Sequence, residues 1–153
     1  MMSTQSPAPA SQRITLAEKE RAVSASLAGL RNVQQRLNWL VEQARARPPL
    51  PKERCTDVHR VPGCLARLWF VAEFRDGCCH FQAESDSLII KAIAGLLCAL
   101  YSDCVPQEIL AHNPSFLAPF GISQHLTPNR RNALARVWDE IHHFAETHRG
   151  RGA

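Results

Sequence analysis

The sequence predicts an α+β fold in which helices pack on one side of a small antiparallel sheet. Three observations predict it. The dipeptide Asp76-Gly77 stands between two β-rich runs and is a strong hairpin signal, because a type I′ turn needs positive φ at both central residues. The stretch from Asp86 to about Tyr101 is apolar nearly all round, as expected of a central buried helix. Flanking stretches carry their apolar residues at helical spacing instead.

In chain order, a helical stretch runs from Thr15 to about Leu30. A second follows, with Val33, Leu37, Leu40, Val41 and Ala44 on one stripe, until Pro48, Pro49 and Pro51 stop it. This pair is expected to form one wall of the core. A polar loop from Lys52 to Arg60 leads to Val61-Pro62-Gly63-Cys64.

A two-residue turn at Asp76-Gly77 sets the register: Arg75 faces Cys78, Phe74 faces Cys79, Glu73 faces His80, Ala72 faces Phe81, Val71 faces Gln82 and Phe70 faces Ala83. Alternation then puts Leu68, Phe70, Ala72, Phe74, Cys79, Phe81 and Ala83 on the core face. Trp69, Val71, Glu73, Arg75, Cys78, His80 and Gln82 share the other, with His80 and Glu73 expected as a cross-strand pair.

Asp86 is expected to cap the central helix, whose small residues Ala94, Gly95, Cys98 and Ala99 permit close packing. Pro106 opens a short helix, and a Pro-broken segment holds Phe116 and Phe120. Thr127 and Pro128 fit the N-cap and first position of a last helix, with Leu134, Val137, Trp138, Ile141 and Phe144 on its stripe.

With 153 residues, the chain is expected to be one domain over 14–148, between loose, flexible tails at 1–13 and 149–153. Such a domain buries roughly 70% of the surface its unfolded chain exposes, so no metal or cofactor is needed to hold it. A net charge of +4, with no basic stripe interleaved with aromatics, argues against nucleic acid. The longest apolar run, Leu88 to Tyr101, is interrupted by Lys91 and is too short for a bilayer. The N-terminus has no apolar secretory region, and the six cysteines form no CxxC, so free thiols in a reducing cytoplasm are expected.

Pro62 and Gly63 fit the two central positions of a type II turn, which would lift Cys64 to the tip of a connection. A thiol there is placed to attack another sulfur, where rate depends on thiolate fraction and access. Read locally, Cys64 is equally a small apolar residue entering a strand. Cys78 and Cys79, as strand neighbours, point to opposite faces and do not easily share one metal ion with His80. Cys98 reads as core, and Cys55 and Cys104 as incidental exposed thiols. Arg130 and Arg131 stand at the positive end of a helix dipole, so either they meet a carboxylate or an acidic partner or they sit at a solvated helix end where salt screens the effect.

The segments HRVPGCLARLWFVAEFRDG, AESDSLIIKAIAGLLCALYSD, VPQEIL and ISQHLTPNRRNAL resemble, in order and spacing, the SufE/CsdE family of cysteine desulfuration proteins, over about Val33 to Ala145. The resemblance implies a fold similar to IscU-type scaffolds. It implies a carrier that takes the terminal sulfur of a persulfide from a pyridoxal-phosphate cysteine desulfurase of the SufS or CsdA type, stimulates that enzyme, and passes the sulfur to an iron–sulfur scaffold of the SufBCD type. No cofactor of its own and no stand-alone turnover are implied. By this resemblance Cys64 is the acceptor that becomes a persulfide. Asp86 and Arg130 help hold its loop and orient the partner, and Val61, Pro62, Gly63 and His125 belong to the supporting motifs. Leu65 and Ala66 stand where the family commonly has Gln-Ser, and Pro62 where Gln is frequent. Two other readings are a metal or Fe–S scaffold, which needs at least three converging ligands, and an adaptor that stimulates a desulfurase without taking sulfur.

Overall fold

The computed structural model describes residues 14–150. The expected tails at 1–13 and 151–153 lie outside these residues. At the C-terminal end Arg149 is described, pairing with Glu146 at 3.0 Å.

Helix α1 (Leu16–Ala28) begins in a capping box. The Glu18 N–H donates to Thr15 Oγ1 at 3.1 Å, and Glu18 Oε1 accepts the Thr15 N–H at 2.8 Å. Helix α2 (Val33–Ala46) is capped by the Asn32 side chain and ends just before Pro48. Short 3₁₀ turns at Lys52–Arg54 and Asp57–His59 lead into strands β1 (Leu68–Arg75) and β2 (Cys78–Ser85). The strands pair antiparallel in the register the turn dictates, from Arg75 opposite Cys78 to Leu68 opposite Ser85. Asp76 and Gly77 hold φ of 54° and 78°, both positive as a type I′ turn requires.

Helix α3 (Leu88–Tyr101) is the centre of the core and packs on β2, α2 and the last helix. Gly95 lets α2's end approach closely: a β-carbon there would stand 3.0 Å from Arg47 Nη1. Helix α4 (Pro106–Leu110) and the 3₁₀ segments Pro114–Phe120 and Ser123–His125 lead to α5 (Pro128–Thr147). Thr127 is the N-cap of α5 and Pro128 its first residue. Among α5's stripe, Val137 and Ile141 are fully buried. Phe144 meets Phe81 edge-on at 5.6 Å, and His148 stacks on Phe74 at 4.7 Å, so α5 covers the predicted core face of the hairpin. Among the described residues, no helix is long and apolar enough to cross a membrane.

Four expectations are corrected. Asp86 does not cap α3; Ser87 does, its hydroxyl accepting the Ile90 N–H at 3.3 Å. Glu73 and His80 stand opposite each other but pair elsewhere, Glu73 with Arg54 at 3.0 Å and His80 with Asp103 at 3.3 Å. Arg54 takes Glu73 Oε2, and Arg75 on the same strand approaches Oε1 at 3.4 Å, so both carboxylate oxygens already have arginine partners.

The second face of the hairpin also buries Val71 and Cys78. The 52–60 segment crosses that face, with Arg54 on Glu73 and the Arg60 guanidinium 5.8 Å from the Trp69 ring centre. Cys104 is not an exposed thiol but 1% exposed, because residues 102–104 pair with the free edge of β2. The Cys79 N–H donates to Cys104 O at 2.8 Å, and the Asp103 N–H donates to Cys79 O at 2.9 Å.

Candidate functional site

The chain between Val61 and Leu68 leaves the sheet and returns to it. Its neck is closed by the Val61 N–H donating to Leu68 O at 2.8 Å, one step beyond an isolated bridge between Arg60 and Trp69. Val61 is buried, so the loop is rooted in the core. Pro62 and Gly63 turn the chain, and the Gly63 φ of +81° fits the second central position of a type II turn. Cys64 follows directly. Its side chain is half-buried against the core, with Sγ 4.0 Å from Pro62 O, and the next residue, Leu65, is 82% exposed.

The returning foot of the loop is held by three groups on the β2–α3 junction. Asp86 Oδ1 accepts the Arg67 N–H at 2.9 Å. The Arg67 carbonyl accepts from the Ser85 hydroxyl at 2.6 Å and from the Asp86 N–H at 3.3 Å. An Arg67 Nε to Asp86 Oδ2 approach of 3.9 Å adds little, since both side chains are over half exposed. Ser85 is the buried polar member of this set. Its Oγ also accepts the Ser87 N–H at 3.1 Å.

Arg130 reaches the loop from α5. It lines a cavity of about 270 Å³ together with Leu65, Ala66, Ile90, Asn129 and Ala133, and among the described residues no carboxylate pairs with it. Arg131 is accounted for inside the molecule: its Nη1 donates to the carbonyls of Ser123 and Leu126. Partnered carbonyls thus offset the unfavourable dipole position there, without a carboxylate. His125 is exposed, and among the described residues no hydrogen bond or ion pair ties its side chain to the Cys64 loop. Arg136 is a cation that the sequence did not single out. A β-carbon built at Gly63 would stand 2.8 Å from its Nη2.

All six cysteines are free thiols. Burial pushes the Cys79 thiol up to about 11 and the Cys98 and Cys104 thiols up to about 12, which leaves them protonated and unreactive at neutral pH. Cys55 is half-buried, and its thiol is also raised, first by desolvation and then by the Glu84 charge. Cys78 is buried on the opposite face of the sheet from Cys79. Among the described residues, no group of three or more His, Cys, Asp or Glu is placed to hold a metal ion. Cys64 joins partial exposure to a turn tip, with Arg136 against the preceding Gly63 and Arg130 beside the following Leu65 and Ala66.

A family model for SufE, the Fe–S metabolism associated domain, matches residues 21–145. An uncharacterized SufE-like protein of Synechocystis is 28% identical over 90 residues, which are 59% of this chain and 57% of that protein. The chain therefore matches little more than half the length of that relative. A hypothetical protein of Thermus thermophilus, solved in solution, superposes with a TM-score of 0.67 at 22% identity over 84% of this chain and 94% of that one. At that identity what is shared is the fold. The matched span runs from within α1 nearly to the end of α5 and encloses the Cys64 loop, its Asp86 anchor and Arg130: the chain belongs to the SufE family, that of the Fe–S metabolism associated domain.

Proposed function

We propose that this chain is a sulfur carrier that accepts a persulfide sulfur on Cys64 from a pyridoxal-phosphate cysteine desulfurase of the SufS or CsdA type. It then delivers that sulfur to an Fe–S scaffold of the SufBCD type. The observation that carries the reading is the placement of Cys64, half-exposed at the tip of a loop anchored at both feet, while Cys79, Cys98 and Cys104 are buried and held protonated. Family membership supplies the metabolic setting.

In the transfer step the Cys64 thiolate attacks the outer sulfur of the donor persulfide, the donor S–S bond breaks, and the donor cysteine leaves as a thiolate. Attack needs a thiol that a partner can reach, and storage needs one that small reductants reach poorly. A half-buried sulfur on a short anchored loop serves both, with docking drawing it outward. Val61, Pro62 and Gly63 shape the tip, and Asp86 fixes its foot. Arg130 and the exposed Leu65 face the incoming enzyme. His125 belongs to this surface only through the partner. The reading sets this work in the reducing cytoplasm, where thiols stay free.

The test is intact mass after incubation with a SufS-type desulfurase and cysteine, without reductant, followed by peptide mapping. A gain of one sulfur on Cys64, absent in Cys64→Ser, is the expected result. Stimulation of the desulfurase retained in Cys64→Ser, with no sulfur gained by the natural chain, would instead make the protein an adaptor.

A further inference from the structure

The Arg136 guanidinium lies across the backbone of Gly63. A β-carbon built at Gly63 would stand 2.8 Å from Nη2, 3.0 Å from Cζ and 3.3 Å from Nε, so the planar group covers the residue immediately before Cys64. Consecutive Cα atoms are about 3.8 Å apart, which puts Nη2 within about 8 Å of the Cys64 Cα. A persulfide extends the cysteine side chain by a further S–S bond of about 2 Å.

The other cations near the loop differ from Arg136. Arg67 is tied to Asp86, Arg60 lies over Trp69, and Arg131 donates to two carbonyls. Arg130 lines the cavity beside Leu65 and Ala66. Arg136 is exposed, and among the described residues it has no ion-pair or hydrogen-bond partner. Its N–H donors remain available beside the backbone that delivers the sulfur.

A persulfide is a stronger acid than the thiol from which it forms, because its charge sits on a polarisable outer sulfur. At neutral pH the loaded carrier therefore bears a negative charge that an ordinary, largely protonated thiol lacks. A cation beside the loop interacts more with the loaded state than with the empty one. Resting on the reading of Cys64 as sulfur acceptor, we infer that Arg136 is the counter-cation of the Cys64 persulfide and draws the sulfur-transfer equilibrium toward this chain. In the balanced exchange, Cys64 thiol and ionised donor persulfide give ionised Cys64 persulfide and donor thiol. The Cys64 sulfur bonds to the outer sulfur as the donor S–S bond breaks, the Cys64 proton ends on the departing donor sulfur, the negative charge moves from donor to carrier, and no net electrons are gained or lost.

The test equilibrates the full chain anaerobically with a buffered couple of cysteine and cysteine persulfide, a small donor that needs no docking surface. Loading at Cys64 is read by intact mass and peptide mapping in the natural chain, Arg136→Ala and Arg136→Lys. At low ionic strength Arg136→Ala should lower the exchange constant about two- to fivefold, the size of a part-exposed charge pair. Arg136→Lys should restore most of it. The difference should shrink in about 1 M salt, where the screening length is about 3 Å. Equal constants for the natural chain and Arg136→Ala, with Cys64 still loaded, would overturn the inference and leave the carrier reading intact. A loss that neither lysine nor salt affects would show a merely structural role and overturn it as well. Failure of the natural chain to load Cys64 from either this couple or a desulfurase would overturn both.

Discussion

Asp86 Oδ1 accepts the Arg67 backbone N–H at 2.9 Å, so a residue on the β2–α3 junction holds the foot of the Cys64 loop. Ser87, its neighbour, turns the other way and caps α3. Two adjacent residues of similar capping chemistry thus serve two different backbones.

Asp86→Ala and Ser87→Ala should therefore differ in where they act. Each should destabilise the fold by about 1 kcal/mol, one by loss of a loop hydrogen bond and one by loss of a cap. Asp86→Ala should speed hydrogen exchange at the Arg67 amide and leave the first turn of α3 protected. Ser87→Ala should do the reverse. Unchanged exchange at Arg67 in Asp86→Ala would contradict the anchoring.

Gly63 holds φ +81° under the Arg136 guanidinium. Gly63→Ala should lower stability by about 1–2 kcal/mol through the left-handed backbone alone, and further by displacing Arg136. In an Arg136→Ala background the steric part should vanish and the backbone part remain. A double-mutant cycle of melting temperatures separates the two, and an additive cycle would rule out the contact.

Alkaline stability follows from the buried thiols. Cys79, Cys98 and Cys104 are held at about 11, 12 and 12, above the ordinary value of 9.0. Between those values the unfolded chain has released these protons and the folded chain has kept them. The unfolded state then binds fewer protons, so stability falls as pH rises. Their contribution should be whole below pH 9 and be lost as pH rises toward about 11 for Cys79 and about 12 for Cys98 and Cys104. Urea melts at a series of alkaline pH values read it directly. Cys98→Ala should flatten the decline, and an unchanged slope would mean that Cys98 titrates normally.

Leu65 is 82% exposed at the tip beside Arg130, where it contributes little to the fold. Leu65→Ser should change stability by no more than about 0.5 kcal/mol. If this tip meets the desulfurase, the same change should weaken the complex severalfold in titration calorimetry. Undiminished affinity would move the docking surface away from the loop.

The hairpin's register was legible in the sequence, though not the ion pairs of Glu73 and His80 or the cover over Val71 and Cys78. A two-residue turn that demands positive φ leaves one register, and alternation then settles which side chains share a face. The helices were legible for a similar reason, since periodicity, prolines and the Thr127 cap act within one or two turns of chain. The family motifs made Cys64 and Asp86 stand out. The capping assignment of Asp86 failed because Ser85, Asp86 and Ser87 can all cap, and only the returning Arg67 backbone selects among them. Cys104 looked exposed because loop position says nothing of the β2 edge it covers.

Local rules, then, determined the order of elements, the strand register and the turn that presents Cys64, because each depends on backbone preferences of neighbouring residues. Tertiary structure decided which groups surround that turn. Asp86, Arg130 and Arg136 reach it from elements distant along the chain. Their contacts exist only once α3 and α5 have packed on the hairpin, where burial of Phe81, Val137 and Ile141 fixes how those helices sit.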